Sequence, residues 1–260
     1  MMQDKNRLKE MLRKGQIPRG FICRTLSPAV VEMIGLCGLD FVWIDMEHST
    51  VNFETVEHLC RAADAVGMEA LVRVPDQSPA AIQRVLEAGA GIVNVPQVED
   101  RAAAEAVVRA ARFGPLGDRG FTSSSRGIRY GVRGKPKDKF ALANERVMVM
   151  VQIESARGVE NAAEICSVPG LDVVFIGHGD LSQSLGVMGE MSNPLLIEAI
   201  ERTMKTIVSS GRIAAMHAEQ PETARHWVEM GARIVCCGVD LNMLRGGLLD
   251  VAGGFTFSSN

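Results

Sequence analysis

The chain has 260 residues, 47% of them hydrophobic and 23% charged, enough to bury a full core. Its formal net charge of -3 offers no concentrated positive surface, so neither nucleic acid nor an anionic membrane is expected as a partner. Cys23, Cys37, Cys60, Cys166, Cys236 and Cys237 lack both the C-x-x-C spacing of a zinc site and the density of a disulfide scaffold, and read as reduced packing residues.

Met1 to Lys14 carries Asp4, Lys5, Arg7, Lys9 and Glu10 where a signal peptide would be apolar, and no run approaches the roughly 18 apolar residues of a membrane span. A cytoplasmic protein is expected. Leu8, Met11 and Leu12 have i, i+3, i+4 spacing, which predicts a short N-terminal helix packed on one end of the domain. Apolar, β-branched runs then follow at 20–25, 41–46, 70–75, 91–96, 147–153, 172–177, 212–217 and 233–239, separated by helix-patterned, alanine-rich segments. Near-continuous apolar character is what parallel strands covered on both faces require. Gly67, Gly89, Gly211 and Gly231 stand where the intervening helices should end. Eight βα units predict a single (β/α)8 TIM barrel over residues 1–260. An open doubly wound sheet is the alternative, but Arg24-Thr25-Leu26-Ser27-Pro28 is not the glycine-rich turn that a dinucleotide fold places after its first strand.

The segment from Gly114 to Phe140 interrupts this rhythm. It is rich in arginine and lysine, opposed by Asp118 and Asp138, with Thr122-Ser123-Ser124-Ser125 at its centre. A loop of this length is either a solvated basic connection or a lid that contacts an anion.

Barrel enzymes carry their chemistry where strands end at the C-terminal rim, so polar groups closing apolar strands are the candidates. The second strand runs into Asp45-Met-Glu-His48, a histidine with acids close by that suits a general acid or base. Arg73 stands inside the apolar third strand. There it is either half of a buried ion pair or a cation over a substrate oxygen. In the fifth strand, alternation puts Gln152 and Glu154 on one face with Met150, toward the barrel axis, and Val149, Val151 and Ile153 on the other. Asp180 follows the sixth strand, so two carboxylates meet at adjacent rims. Each acid either caps the helix after it or shares a hard divalent cation with the other. His178 belongs to the same rim, whereas His58 and His226 fall in helix-patterned surface segments. All seven lysines lie outside the strand runs, so no desolvated Schiff-base lysine is in evidence, and a G-x-S-x-G elbow, a P-loop and an H-E-x-x-H helix are all missing. Metal-assisted carbonyl chemistry remains.

Ile44-Asp-Met-Glu-His48, Val72-Arg-Val-Pro75, Leu86-Glu-Ala-Gly-Ala90, Gly117-Asp-Arg-Gly120, Val151-Gln-Ile-Glu154, Phe175-Ile-Gly-His-Gly-Asp-Leu-Ser182 and Gly238-Val-Asp240 together resemble, in order and spacing, the metal-dependent pyruvate aldolases of the HpcH/HpaI aldolase/citrate lyase family. The resemblance implies a (β/α)8 barrel assembled as a homo-oligomer, a hexamer or trimer. It also implies reversible cleavage of a 4-hydroxy-2-oxo acid to pyruvate, or a close 2-oxo acid, and an aldehyde. In that reading Glu154 and Asp180 hold Mg²⁺, or alternatively Mn²⁺ or Co²⁺, and Gln152 contacts substrate. Backbone amides at Gly179 and Asp180 take its carboxylate. Arg73 steadies the enolate, and His48 is the base beside Asp45, with Glu87 reaching over from a neighbouring subunit. Two residues depart from the family pattern: Glu87 and His178 stand where relatives carry aspartate and proline. An acyl-CoA lyase of the malyl-CoA type, an oxaloacetate decarboxylase and a non-catalytic carboxylate-binding barrel are the rival readings.

Overall fold

A computed structural model describes residues 5–132 and 136–255; Asp4 and Lys135 lie outside the described residues. Eight parallel strands form a closed barrel in chain order: β1 Arg19–Cys23, β2 Phe41–Asp45, β3 Glu69–Arg73, β4 Ile92–Val95, β5 Met148–Ile153, β6 Val173–Ile176, β7 Ile213–His217 and β8 Ala232–Val239. Each falls within two residues of its expected bounds. The helices are α1 Arg7–Arg13, α2 Pro28–Leu36, α3 Phe53–Ala65, α4 Pro79–Ala88, α5 Arg101–Ala111, α6 Pro136–Arg146, α7 Ala156–Glu160, α8 Ala162–Cys166, α9 His178–Ser184, α10 Pro194–Ser209, α11 Pro221–Met230 and α12 Asp240–Gly254. Among the described residues none is long and apolar enough to cross a membrane.

Local chemistry sets the helix boundaries. Asn52, Ser78 and Asp100 accept hydrogen bonds from Thr55, Ala81 and Ala103 backbone N–H groups at the starts of α3, α4 and α5. Gly89 and Gly231 close α4 and α11 with φ of 107° and 118°, a left-handed conformation in which a Cβ would be strained.

Strand alternation divides the apolar core in two. Val149, Val151 and Ile153 face the helices together with Val72, Val93 and Ile176. Inside the barrel, Phe41, Trp43, Leu71, Ile92, Met148, Met150, Val173 and Phe175 pack as one cluster. Leu8 of α1, fully buried, joins that cluster and plugs the N-terminal end of the barrel. The lower interior is therefore solid, and a cavity opens at the rim, where the inward residues turn polar.

The segment from Gly114 onward is not a free loop. A 3-10 turn spans Arg126–Gly131 and α6 begins at Pro136. Arg126 is buried, bound to Asp64 and to the Ala88 carbonyl. Arg119 is buried over the Phe113 ring at 4.4 Å. Its basic charge is thus partly structural, locking the segment to the ends of α3 and α4. All six cysteines are free thiols.

Candidate active site

Ile22, Arg24, Trp43, His48, Arg73, Gln152, Glu154, Phe175, Gly177, His178, Gly179, Asp180, His217 and Val239 line a cavity of ≈ 210 Å³ at the C-terminal rim. Trp43 and Phe175, edge to face with centroids 4.9 Å apart, form its apolar floor. The β2–β3 register sets Asp45 directly beside Arg73, and the two residues make a fork-to-fork pair. Arg73 Nε donates to Asp45 Oδ1 at 2.9 Å and Nη2 donates to Oδ2 at 2.6 Å. Nη1 lies 2.8 Å from Glu47 Oε2, and the guanidinium sits over Trp43 at 5.6 Å.

The two readings of Arg73 therefore coexist: it has a buried partner and still borders the cavity. A guanidinium carries five N–H groups. Two are taken by Asp45, which leaves capacity toward a substrate. Burial opposes charge on both members of the pair, yet their mutual hydrogen bonds win. The Asp45 carboxyl stays below the usual range and the Arg73 guanidinium above its own.

Asp45 also accepts from Arg24 Nε at 3.0 Å and from the backbone N–H groups of Glu47 and His48. It thus shapes the turn that carries His48 and does not contact the imidazole. The nearest acid to that ring is Glu47, with Oε2 3.8 Å from His48 Nε2. The His48 side chain is 48% exposed, so its ring is open to a substrate proton.

Glu154 is held asymmetrically. Its Oε1 accepts from the Gln97 backbone N–H at 2.6 Å, in a turn where Gln97 adopts a positive φ of 56°. Its Oε2 is buried with no partner among the described residues. Burial pushes the carboxyl up to about 7, and the neighbouring charges of Glu47 and Asp180 add to this. A Cβ on Gly177 would stand 2.5 Å from Glu154 Oε2, so that strand end must be glycine for the carboxylate to lie where it does. Asp180 is in the first turn of α9, not on the strand end itself.

The chemistry of this donor set fits a hard divalent cation: one tethered carboxylate with a bare oxygen, and a second, exposed acid on the same cavity wall. Among the described residues no group of three or more His, Cys, Asp or Glu side chains is placed to hold an ion. Gln152, 1% exposed, adds an amide whose Nε2 has no partner among the described residues.

Glu87 lies elsewhere. It accepts from Gln83 Nε2 at 3.1 Å on α4 and faces Arg119, whose pKa burial lowers to about 10 against the pull of that acid. It lines no part of the cavity.

Four residues at the rim escaped the sequence reading. Arg24 pairs with Asp45, and His217 ends β7. Asn94, paired in register with Arg73, is fully buried, and neither amide atom has a partner among the described residues. Gln97 anchors Glu154. Arg24, Asn94 and His217 were visible as polar residues closing apolar strands. Gln97 acts through its backbone and leaves no such mark.

Comparison with known proteins places these observations in a family. Residues 21–246 match the model of the HpcH/HpaI aldolase/citrate lyase family. A 5-keto-4-deoxy-D-glucarate aldolase of Klebsiella pneumoniae is 33% identical over 250 residues, covering 96% of both chains. A hydroxypyruvate/pyruvate aldolase of Delftia acidovorans is 33% identical, covering 92% of this chain and 88% of its own. The crystal structure of an HpcH/HpaI aldolase/citrate lyase family protein from Burkholderia cenocepacia superposes with a TM-score of 0.87 at 32% identity, over 95% of this chain and 100% of that one.

Proposed function

Because this chain belongs to the HpcH/HpaI aldolase/citrate lyase family, we propose that it is a divalent-metal-dependent aldolase that reversibly cleaves a 4-hydroxy-2-oxo acid to pyruvate, or a close 2-oxo acid, and an aldehyde. One observation carries the reading: Glu154 presents a bare, buried oxygen beside Asp180 in a cavity that Arg73, Gln152 and His48 also line. Relatives named as aldolases support the reaction type.

Glu154 and Asp180 would hold the ion, Mg²⁺ in the first instance with Mn²⁺ or Co²⁺ as alternatives. When bound it supplies Lewis-acid polarisation of the 2-oxo acid. The residues of the chain do the rest. Gln152 Nε2 donates to a substrate oxygen, and the free backbone N–H groups opening α9 at Gly179 and Asp180 face its carboxylate. His48 takes the proton of the C4 hydroxyl as the C3–C4 bond breaks, and the aldehyde carbonyl forms. The electron pair passes toward the keto oxygen, where Arg73 offsets the growing charge, a contribution on the order of 10²–10³ in rate. Asp45 keeps Arg73 aimed, and His48 then returns its proton to C3.

A malyl-CoA type lyase needs a site for a nucleotide, which the basic segment after Gly114 would have to supply. With Arg126 committed to Asp64 and Arg119 buried, that segment has fewer cations to offer, which favours the small-acid reading. A homo-oligomer, hexamer or trimer, belongs to the same proposal. Leu241, Met243, Leu244, Leu248, Leu249 and Val251 of α12 are all exposed, an apolar face that a second copy would cover. Glu87, absent from its own cavity, is free to approach a neighbour's. The direct test is kinetic: His48→Ala and Arg73→Ala should still bind Mg²⁺ by calorimetry while pyruvate release drops at least a hundredfold. Wild-type turnover in either variant removes that residue from the mechanism.

A further inference from the structure

Asn94 does not line the cavity, and the chemistry described above gives it no task. On β4, Val93 and Val95 pack outward against the helices while Ile92 packs inside, so alternation aims the Asn94 side chain at the barrel axis. Its height there follows from the stagger of the strands, about one residue per strand, which gathers side chains of alternate strands into layers. The registers put Trp43, Asn94, Phe175 and Cys236 in one layer and Ile22, Arg73, Gln152 and His217 in the next, toward the rim. The upper four all line the cavity. Asn94 is thus the amide in the floor beneath them, beside Arg73 in register and diagonal to Gln152, which lies two residues beyond its β5 partner Met150.

Trp43 Nε1 and Gln152 Nε2 are buried and, like both amide atoms of Asn94, have no hydrogen-bond partner among the described residues. These orphans are unbalanced: an indole N–H and two amide NH₂ groups donate, and Asn94 Oδ1 alone accepts. The three side chains cannot satisfy one another directly, whereas a water, which accepts two hydrogen bonds and donates two, can join them. Buried waters typically make about three such bonds to groups of this kind. We propose that Asn94 is a positioning residue: with Trp43 Nε1 and Gln152 Nε2 it binds one internal water beneath the cavity, and that water fixes the Gln152 amide against the substrate. The water accepts from the Trp43 N–H and from one N–H of Gln152, and donates to Asn94 Oδ1. The second N–H of Gln152 stays directed at the substrate. Diagonal neighbours on a sheet hold their Cβ atoms about 7–8 Å apart, a span that an asparagine and a glutamine amide bridge with a water between them. The water stands on the orphaned atoms alone, while the task given to Gln152 rests on the aldolase reading.

The test has a structural and a kinetic arm. High-resolution crystal structures should show a water within hydrogen-bond distance of Trp43 Nε1, Gln152 Nε2 and Asn94 in the wild type, and none there in Asn94→Leu. The kinetic arm follows deuterium exchange at C3 of pyruvate with Mg²⁺ in the wild type, Asn94→Leu, Asn94→Ser, Gln152→Leu and the double variant Asn94→Leu with Gln152→Leu. Loosening Gln152 weakens a contact made with bound pyruvate throughout, so KM should rise about tenfold, the equivalent of one net hydrogen bond, with kcat changed by less than about threefold. A merely structural role reads differently, since a smaller folded fraction lowers kcat at constant KM. Asn94→Ser keeps a hydroxyl for the water and should recover most of the affinity. In the double variant the change at Asn94 should add nothing to the loss from Gln152→Leu, because Asn94 acts only through that amide. A wild type without the water, an unchanged KM in Asn94→Leu, or fully additive losses overturn the proposal. A wild type that exchanges pyruvate but lacks the water defeats this inference alone. One that holds the water yet neither exchanges pyruvate nor cleaves an aldol defeats the aldolase reading and, with it, the positioning role.

Discussion

Asp45 and Arg73 face each other across the β2–β3 ladder, their side chains joined by parallel hydrogen bonds of 2.9 and 2.6 Å at the floor of the cavity. Both are almost fully buried, and removing one partner of such a pair leaves the other charge uncompensated. Asp45→Asn should therefore cost about 3–5 kcal/mol in urea unfolding and lower turnover as Arg73 loses its aim. A loss under about 1 kcal/mol would mean that Glu47 alone balances the guanidinium.

Gly177→Ala is a gentler probe of Glu154. Gly177 has φ of -82°, which any residue adopts, so the backbone tolerates alanine. The new Cβ, however, would stand 2.5 Å from Glu154 Oε2. Calorimetry should find Mg²⁺ binding weakened by about tenfold or more, the range typical when the support of a ligand is disturbed, with the fold intact by circular dichroism. Unchanged affinity would place the ion away from Oε2.

Titration of Glu154 gives a signed expectation. Its carboxyl is raised from 4.5 to about 7 by burial, so the folded chain holds a proton that the unfolded chain releases in that window. The contribution to stability is complete below about 4.5 and is lost as pH rises through about 7. A divalent ion competes with the same proton. Mg²⁺ affinity should thus improve roughly tenfold from about pH 6 to pH 8 with proton release on binding, and this pH dependence should vanish in Glu154→Gln. A flat profile in the wild type would contradict the assignment.

The exposed apolar face of α12 yields a prediction about assembly. Leu244→Glu with Leu248→Glu should convert the proposed oligomer to monomers, read by light scattering after size exclusion. A wild type that is itself monomeric, or an unaltered mass in the double variant, would refute a contact through this helix.

The barrel was readable from residue order because strands buried on both faces carry long apolar runs and because Gly89 and Gly231 mark helix ends that only a left-handed residue closes. The inward aim of Gln152 and Glu154 followed from alternation alone. The pairing of Asp45 with Arg73 did not, because 28 residues separate them and only the strand register brings them side by side. The basic segment misled for a similar reason: charge count cannot reveal that Arg126 reaches Asp64 across the chain. His217 lay at a strand end but drew no notice, since only the fold brings it against His178.

The most direct measurement of the central claim is pyruvate release from a panel of 4-hydroxy-2-oxo acids before and after EDTA, with Mg²⁺ then restored, in the wild type and in Glu154→Gln and Asp180→Asn. If Glu154 and Asp180 hold the ion as proposed, cleavage should disappear with chelation, return with Mg²⁺, and fail to return in either variant. Cleavage that persists at full rate in EDTA, or that Mg²⁺ restores equally in both variants, would contradict it.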